Sequence, residues 1–297
     1  MIIVLGSINA DQIGVVDRLP MPGETVLGSS FRTEPGGKGA NQALAARRAG
    51  SEVALFAAVG NDPFAEIALT LLRRDRVDLA GVRMARVNTG IAMIVVDAAG
   101  ENQIAVLSGA NATVGEREIR QALDKCSDED LLLLQLEIPV DAARHALELA
   151  KERSLRSILN VAPYVPETGS LAKLASIVVA NQSEFELLLG LKPVNLDDEV
   201  LKLAAQNGQV VVVTLGNMGA VVSAGDKVVR VSAPSVQVVD TVGAGDTFCG
   251  YLAAGICEGE SLDLAVRRAV VAASIACTSA GAQPAIPQAA EVECMMR

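Results

Sequence analysis

Short aliphatic and β-branched runs alternate with helix-patterned segments along most of this chain, and that alternation leaves few folds open. Strands are expected at Met1–Leu5, Glu52–Ala58, Asp130–Gln135, Ser157–Leu159, Ile177–Val179, Val210–Thr214 and Val236–Val239. Helix starts are marked by Asp62-Pro63, a capping acid before a proline at the first helical position. Thr113 with Glu116, and Ser183 with Glu186, have capping-box spacing. The expected fold is α/β: a predominantly parallel sheet with helices on both faces. With 297 residues, 51% of them hydrophobic, the chain can bury a large core, so residues 1–297 read as one main domain with an appendage.

Two regions break the alternation. Ile13–Val16 and Thr25–Arg32 are extended and polar-punctuated, while Ile91–Val96 and Gln103–Leu107 flank a turn at Ala98-Ala99-Gly100 and read as a hairpin. No helix intervenes within either region. Residues of about 12–33 and 89–107 are therefore expected to form a small β-sheet that acts as a lid over a cleft. The alternative is a pair of irregular surface hairpins.

Charge and composition narrow the chemistry. A net charge of −10 disfavours nucleic acid or an anionic membrane as a broad-surface partner. A nucleotide ligand stays open, since backbone N–H groups and magnesium can meet its charge locally. The apolar start, Met1 to Leu5, has no basic residues before it and reads as a buried strand rather than a signal peptide. No apolar run approaches bilayer length. Five scattered cysteines without C-x-x-C spacing fit reduced thiols in the cytoplasm. One histidine, His145, argues against a Ser-His-Asp triad or a His-rich zinc site. The chemistry is left to carboxylates, amides and backbone.

The densest candidate is Asp240-Thr241-Val242-Gly243-Ala244-Gly245-Asp246-Thr247-Phe248. It follows the expected strand Val236–Val239 and leads into an apolar helical segment. Glycines at a helix start let unpartnered N–H groups converge, which makes an anion site. Asp246 in that place reads either as a base beside a bound phosphoryl group or as an ordinary helix N-cap. Two other glycine motifs are excluded. A dinucleotide fingerprint needs glycine where Phe248 stands, and Gly36-Gly37-Lys38-Gly39 lacks both the leading glycine and the following Ser or Thr of a P-loop. In open parallel sheets, ligands bind outside the carboxyl ends of the strands. Polar clusters follow five of the expected strands: Asn9 and Asp11, Glu137, Asn181 to Glu184, Thr214 to Gly219, and Asp240. Asn9 and Asp11 supply an amide and a carboxylate suited to accepting hydrogen bonds from vicinal hydroxyls.

With Gly36-Gly37-Lys38-Gly39-Ala40-Asn41-Gln42, the Asp240–Thr247 stretch, Leu136-Glu137, Asn181 with Glu184, and Gly281-Ala282-Gln283-Pro284, the chain resembles the ribokinase-like carbohydrate kinases over nearly its whole length. The resemblance implies ATP-dependent phosphorylation of D-ribose at its 5-hydroxyl. Relatives acting on 2-deoxyribose or nucleosides are the nearest alternatives, and a non-catalytic sugar sensor is one of another class. It implies a sugar pocket of Asn9, Asp11, Gly37, Lys38, Asn41 and Glu137, with Asp246 as general base. The backbone of Gly243, Ala244 and Gly245 would form the anion hole. Asn181 and Glu184 would position magnesium and phosphates, and Thr214, Gly216, Asn217 and Gly219, with Gly245, would hold the nucleotide. A monovalent cation, usually potassium, would sit at Asp240, Val242, Ala276, Ser279, Gly281 and Ala285. Alanine at 285 departs from the serine of close relatives. The resemblance also implies a homodimer formed through the lid, to which the apolar face of Ile91, Met93 and Val95 is suited.

Overall fold

The computed structural model describes residues 1–297. In chain order its strands are β1 (Ile2–Leu5), β2 (Asn9–Val16), β3 (Gly28–Gly36), β4 (Val53–Val59), β5 (Asp78–Met84), β6 (Gly90–Val96), β7 (Asn102–Leu107), β8 (Leu131–Leu134), β9 (Arg156–Asn160), β10 (Ile177–Asn181), β11 (Val210–Thr214), β12 (Ala220–Ala224) and β13 (Lys227–Val231). The helices are α1 (Lys38–Arg48), α2 (Pro63–Arg74), α3 (Glu116–Lys125), α4 (Val140–Glu152), α5 (Thr168–Ala172), α6 (Gln182–Leu189), α7 (Leu196–Asn207), α8 (Ala244–Cys257), α9 (Leu262–Ala276) and α10 (Ala289–Met296).

Nine strands form one sheet in the order β13-β12-β11-β10-β9-β8-β1-β4-β5. From β11 to β5 every pairing is parallel, and β12 and β13 close one edge as an antiparallel hairpin. Parallel strands buried on both faces read as continuous apolar runs, which is why Ile2–Leu5 and Leu131–Leu134 show no polar alternation. Successive residues of those runs feed opposite cores. Ile2, Val4, Leu131 and Leu133 join a cluster with α1, α2, α8, α9 and α10. Ile3, Leu5, Leu132 and Leu134 join another with α3 to α7. Helices thus cover both faces, as expected.

The smaller sheet has the order β3-β2-β6-β7, with β2 and β6 parallel and the outer pairs antiparallel. Its strands run longer than the expected segments. β2 already begins at Asn9, just after β1, and β3 ends at Gly36, just before α1. Asp97 organises the tight turn of the hairpin by accepting from Ala99 N and Glu101 N at 2.9 and 3.0 Å.

Three local expectations are corrected. Val236–Val239 is not a strand: it pairs with neither sheet. Val238 and Val239 are mostly exposed, Val239 lies in a bend, and Val239 N bonds Cys277 O at the end of α9 at 2.8 Å. β-Branched residues favour a pleated surface only where one is available. The capping boxes also lie elsewhere. Thr113 ends a 3-10 turn, and the first turn of α3 is closed by Glu118 Oε2, which accepts from Gly115 N at 3.0 Å. For α6 the box is Asn181 with Glu184 instead of Ser183 with Glu186. Asp62-Pro63 does start α2, with Asp62 Oδ1 accepting from Ala65 N at 3.1 Å. β5, β12 and β13 are absent from the expected strand set. No helix is long and apolar enough to cross a membrane.

Candidate active site

Helices α1 and α8 approach each other through Gly250. A Cβ there would lie 2.6 Å from Gln42 O and 2.7 Å from Ala46 N. This close approach brings the first turns of the two helices together. Asp246 is the third residue of α8, whose cap is Gly243 in the left-handed region at φ 76°. A side chain at Gly243 would be strained there and would also meet Ala282.

Asp246 is 7% exposed, and its carboxylate is held from α1 rather than by its own helix. Asn41 Nδ2 donates to Oδ2 and Gln42 Nε2 to Oδ1, each at 2.9 Å. That arrangement rules out the N-cap alternative. Gln42 is itself fixed: its Nε2 also donates to Asn160 Oδ1 at 3.0 Å, and its Oε1 accepts from Gln135 Nε2 at 2.6 Å. Asn160 Nδ2 completes the run on Val179 O at 3.2 Å. Gln42, Gln135 and Asn160 are site residues that sequence reasoning missed. Gln42 ends a motif singled out above, whereas Gln135 and Asn160 sit on buried strand ends without any local signal.

Beside Asp246 lies a cavity of about 620 Å³, within the range of small-molecule sites. Asn9, Asp11, Gly37, Lys38, Asn41, Glu137, Asp246 and Gly243 all line it, so the expected sugar residues come together with the expected base. Ala92, Ile94, Ile104 and Val106 of the small sheet form an apolar wall. Glu137 Oε2 accepts from Ser7 Oγ at 2.6 Å and from Lys38 N at 3.0 Å, tying the end of β8 to the start of α1. Asn41 Oδ1 is buried without a partner, and so is Asp11 Oδ1. Burial, with the charges of Glu137, Glu34 and Asp246, pushes the Asp11 carboxyl up to about 7, and Lys38 offsets this only in part. Burial opposes the Lys38 charge, yet Asp246, Glu137 and Glu184 outweigh it and raise its pKa. Asn111, another residue missed, contacts Asn9 from a 3-10 turn after β7, where periodicity gives no cue.

The expected nucleotide residues other than Gly245, which lies in α8, sit apart from this cavity, on a shelf at the carboxyl ends of β10 and β11. Asn181 and Thr214 are register partners there. Asn181 Oδ1 accepts from Glu184 N at 2.8 Å, and Glu184 Oε2 accepts from Asn181 N at 2.9 Å. Gly216 and Asn217 are exposed in the turn that follows, and Gly219 closes it at φ 91°. Burial raises the Glu184 carboxyl. The Asn181 N–H and Lys38 oppose that, and the Asp246 charge adds to it, so the shelf and the cavity share one field.

The glycine turn borders the cavity, which Val242 and Gly243 line. Ala244 N donates to Thr241 O at 3.3 Å, leaving Gly243 and Gly245 as its N–H groups without a backbone partner. Asp240 braces the turn: Oδ1 accepts from Val242 N at 3.0 Å and Oδ2 from Gly281 N at 2.9 Å. Ala276 and Ser279 occupy the adjoining turn, joined by a backbone bond of 3.4 Å. Ala285 is buried and offers no side-chain oxygen.

Comparison with known proteins agrees over nearly the full length. The family model described as pfkB family carbohydrate kinase matches residues 1–289. Ribokinase of Haemophilus influenzae is 35% identical over 289 residues, covering 96% of this chain and 94% of that protein. Deoxyribokinase of Salmonella typhi is 33% identical over 292 residues, covering 96% and 95%. The structure of Arabidopsis thaliana ribokinase complexed with ribose and ATP superposes with a TM-score of 0.88 at 29% identity, covering 100% of this chain and 98% of that one. Matched in sequence from its first residue to the start of its last helix, and matched in fold throughout, the chain belongs to the pfkB family of carbohydrate kinases.

Proposed function

We propose that this kinase transfers the γ-phosphoryl group of ATP to the 5-hydroxyl of D-ribose. The observation that carries the reading is the placement of Asp246: a buried carboxylate in the first turn of a helix, oriented by two amides and lining a sugar-sized cavity, with its charge felt at Glu184. The hydroxyl oxygen attacks the γ-phosphorus, its proton passes to Asp246, and the bond to the ADP oxygen breaks. Phosphoryl transfer needs chiefly positioning and charge stabilisation. The Gly243 and Gly245 N–H groups, the start of α8 and Lys38 supply positive potential at the transferring group. Asn9, Asp11, Asn41 and Glu137 hold the sugar, while Asn181, Glu184 and Thr214 to Gly219 hold the nucleotide.

Residues 1–297 act as one domain, and the small sheet, about 12–33 and 89–107 with its roots at Asn9 and Gly36, serves as the lid. No aromatic side chain lines the cavity, and Phe31 is largely exposed, so nothing there stacks a nucleobase. That favours a bare pentose over a nucleoside.

Oxygen donors near the phosphates fit a hard divalent ion. Glu184 and Asn181 would hold magnesium together with the phosphates, where it neutralises charge on the phosphoryl oxygens. No three carboxylate, histidine or cysteine side chains gather into a resident site, so the ion would arrive with its nucleotide. Potassium would sit beside the turn braced by Asp240, at Val242, Ala276, Ser279, Gly281 and Ala285, with one oxygen fewer than a serine at 285 provides. The exposed outer face of the lid, with Phe31, Met93 and Leu107, would pair two chains as a homodimer.

A coupled ADP-release assay over pentoses, 2-deoxyribose, hexoses and nucleosides tests the assignment, run in potassium and in tetramethylammonium at equal ionic strength. Ribose is expected to give the highest kcat/KM, and potassium to raise it. A nucleoside or 2-deoxyribose at the top of the panel would overturn the substrate, and indifference to potassium would remove the cation site.

A further inference from the structure

An amide side chain donates at one end and accepts at the other, and a half-turn exchanges them. Asn111 cannot make that exchange, because the backbone of Ile8 holds both ends. Its Oδ1 accepts from Ile8 N at 2.9 Å and its Nδ2 donates to Ile8 O at 3.1 Å. A backbone N–H never accepts and a carbonyl never donates, so turning the amide over would break both bonds. The same Nδ2 donates to Asn9 Oδ1 at 2.7 Å. Asn9 must therefore meet it with oxygen, which leaves its own Nδ2 as the free end. Asn111 and Asn9 are 1% and 2% exposed, so bulk water cannot relax the arrangement. Gly90 seals it, since a Cβ there would run into both Asn111 Nδ2 and Asn9 Oδ1. Asn9 lines the cavity, and its Nδ2 has no partner within the protein.

We infer that Asn111 is a positioning residue that locks Asn9 as a hydrogen-bond donor toward the sugar, so that the pocket reads one ring hydroxyl as an acceptor. This rests on the sugar-kinase reading above and corrects the expectation that Asn9 and Asp11 both accept. The pocket is instead divided: Asn9 donates, while the buried, unpartnered Asp11 Oδ1 and Asn41 Oδ1 stand ready to accept. A hydroxyl satisfies either kind of group, but its replacements do not. Fluorine accepts weakly and cannot donate; hydrogen does neither. Opposite Asn9, a fluorosugar keeps part of the contact, whereas the deoxysugar leaves Nδ2 desolvated and unpaired. Opposite Asp11 in its ionised form, above about pH 7, fluorine gains nothing over hydrogen.

The experiment measures KM and kcat for riboses carrying hydrogen or fluorine in place of the hydroxyl at C1, C2 or C3. In the wild type, one position is expected to favour fluorine over hydrogen by about threefold to tenfold in KM. Asn111→Ala frees the Asn9 amide, so that preference should shrink toward one, with ribose KM up about tenfold and kcat little changed. Asn9→Asp offers oxygen both to Asn111 and to the cavity, so the preference should vanish. That variant carries the test if Asn111→Ala does not fold. A purely structural Asn111 would weaken all analogues alike and leave the fluorine-to-hydrogen ratio unmoved, which overturns its assignment. A wild type that phosphorylates ribose but favours fluorine nowhere overturns the donor assignment of Asn9. Failure to phosphorylate ribose overturns the functional reading, and this inference with it.

Discussion

Each carboxylate oxygen of Asp246 takes one amide hydrogen, from Asn41 and from Gln42, and Gln42 cannot turn over without losing Gln135 and Asn160. In Asp246→Asn one side-chain N–H group would face one of those donors, and the residue could no longer take the proton. The expected outcome is a kcat lower by roughly 10²–10⁴-fold, the usual worth of general base catalysis, with ribose KM changed by no more than about fivefold. Steady-state kinetics on mass-verified protein decide it, and a near-normal kcat would remove Asp246 from the chemistry. Asp11 gives a pH-dependent prediction. Its carboxyl rises from 3.8 to about 7, first through burial and then through Glu137, Glu34 and Asp246. A carboxyl raised by folding favours the folded state fully below its unfolded value, and that contribution is lost as pH climbs through the folded one. Asp11→Asn does not titrate. The variant should therefore gain on the wild type between about pH 4 and pH 7, by on the order of 1–4 kcal/mol, and the difference should level off above that. Thermal melts of the sugar-free proteins across pH check this; a constant difference would mean that Asp11 bears no such burden.

The α1–α8 pair matters because it sets the reach of Asn41 and Gln42. The two helices touch where Gly250 faces Ala45 and Ala46. In Gly250→Ala the added Cβ would lie 2.5–2.7 Å from Ala45 Cβ, Gln42 O and Ala46 N, too close for any real contact, so the two helices would have to move apart. Overpacking of this kind costs about 1–3 kcal/mol. The amides that orient Asp246 would be displaced as well, so kcat should drop by about tenfold while ribose KM moves less. Denaturant melts and kinetics on one preparation separate the two effects. A variant as stable and as active as the wild type would show that the contact does not position the base. In α6, the Asn181–Glu184 box shows a motif serving two ends: it closes the helix start and sets Glu184 facing the site. The signature was visible in sequence as N-x-x-E, but Ser183 with Glu186 has the same spacing. Only the end of β10 at Asn181 decides between them.

Across the whole molecule, the small sheet has two different faces. Ile13, Ala92 and Ile94 pack on the cavity side, while Phe31, Met93 and Leu107 stay exposed on the other. Light scattering at micromolar concentration should give twice the 30.7 kDa chain mass, and Met93→Glu should return it to one. A monomeric wild type would remove the lid-mediated dimer. The alternation of apolar runs and helical segments determined the parallel sheet and its two helical layers, because buried strands and their crossovers are written in neighbouring residues. The Asp240–Phe248 stretch likewise announced a helix start, since its backbone demands are local. Tertiary structure alone decided the rest. Val236–Val239 has the composition of a strand but pairs with neither sheet, whereas β5, with Asp78 and Arg83 in it, pairs with β4. Asp246 meets Asn41 from 205 positions away and Asn111 meets Asn9 from 102, so neither bond has any trace in local pattern. Strand pairing, amide polarity and the raised carboxyl of Asp11 all depend on which distant groups share a buried space, and that is set only when the sheets close over the cavity.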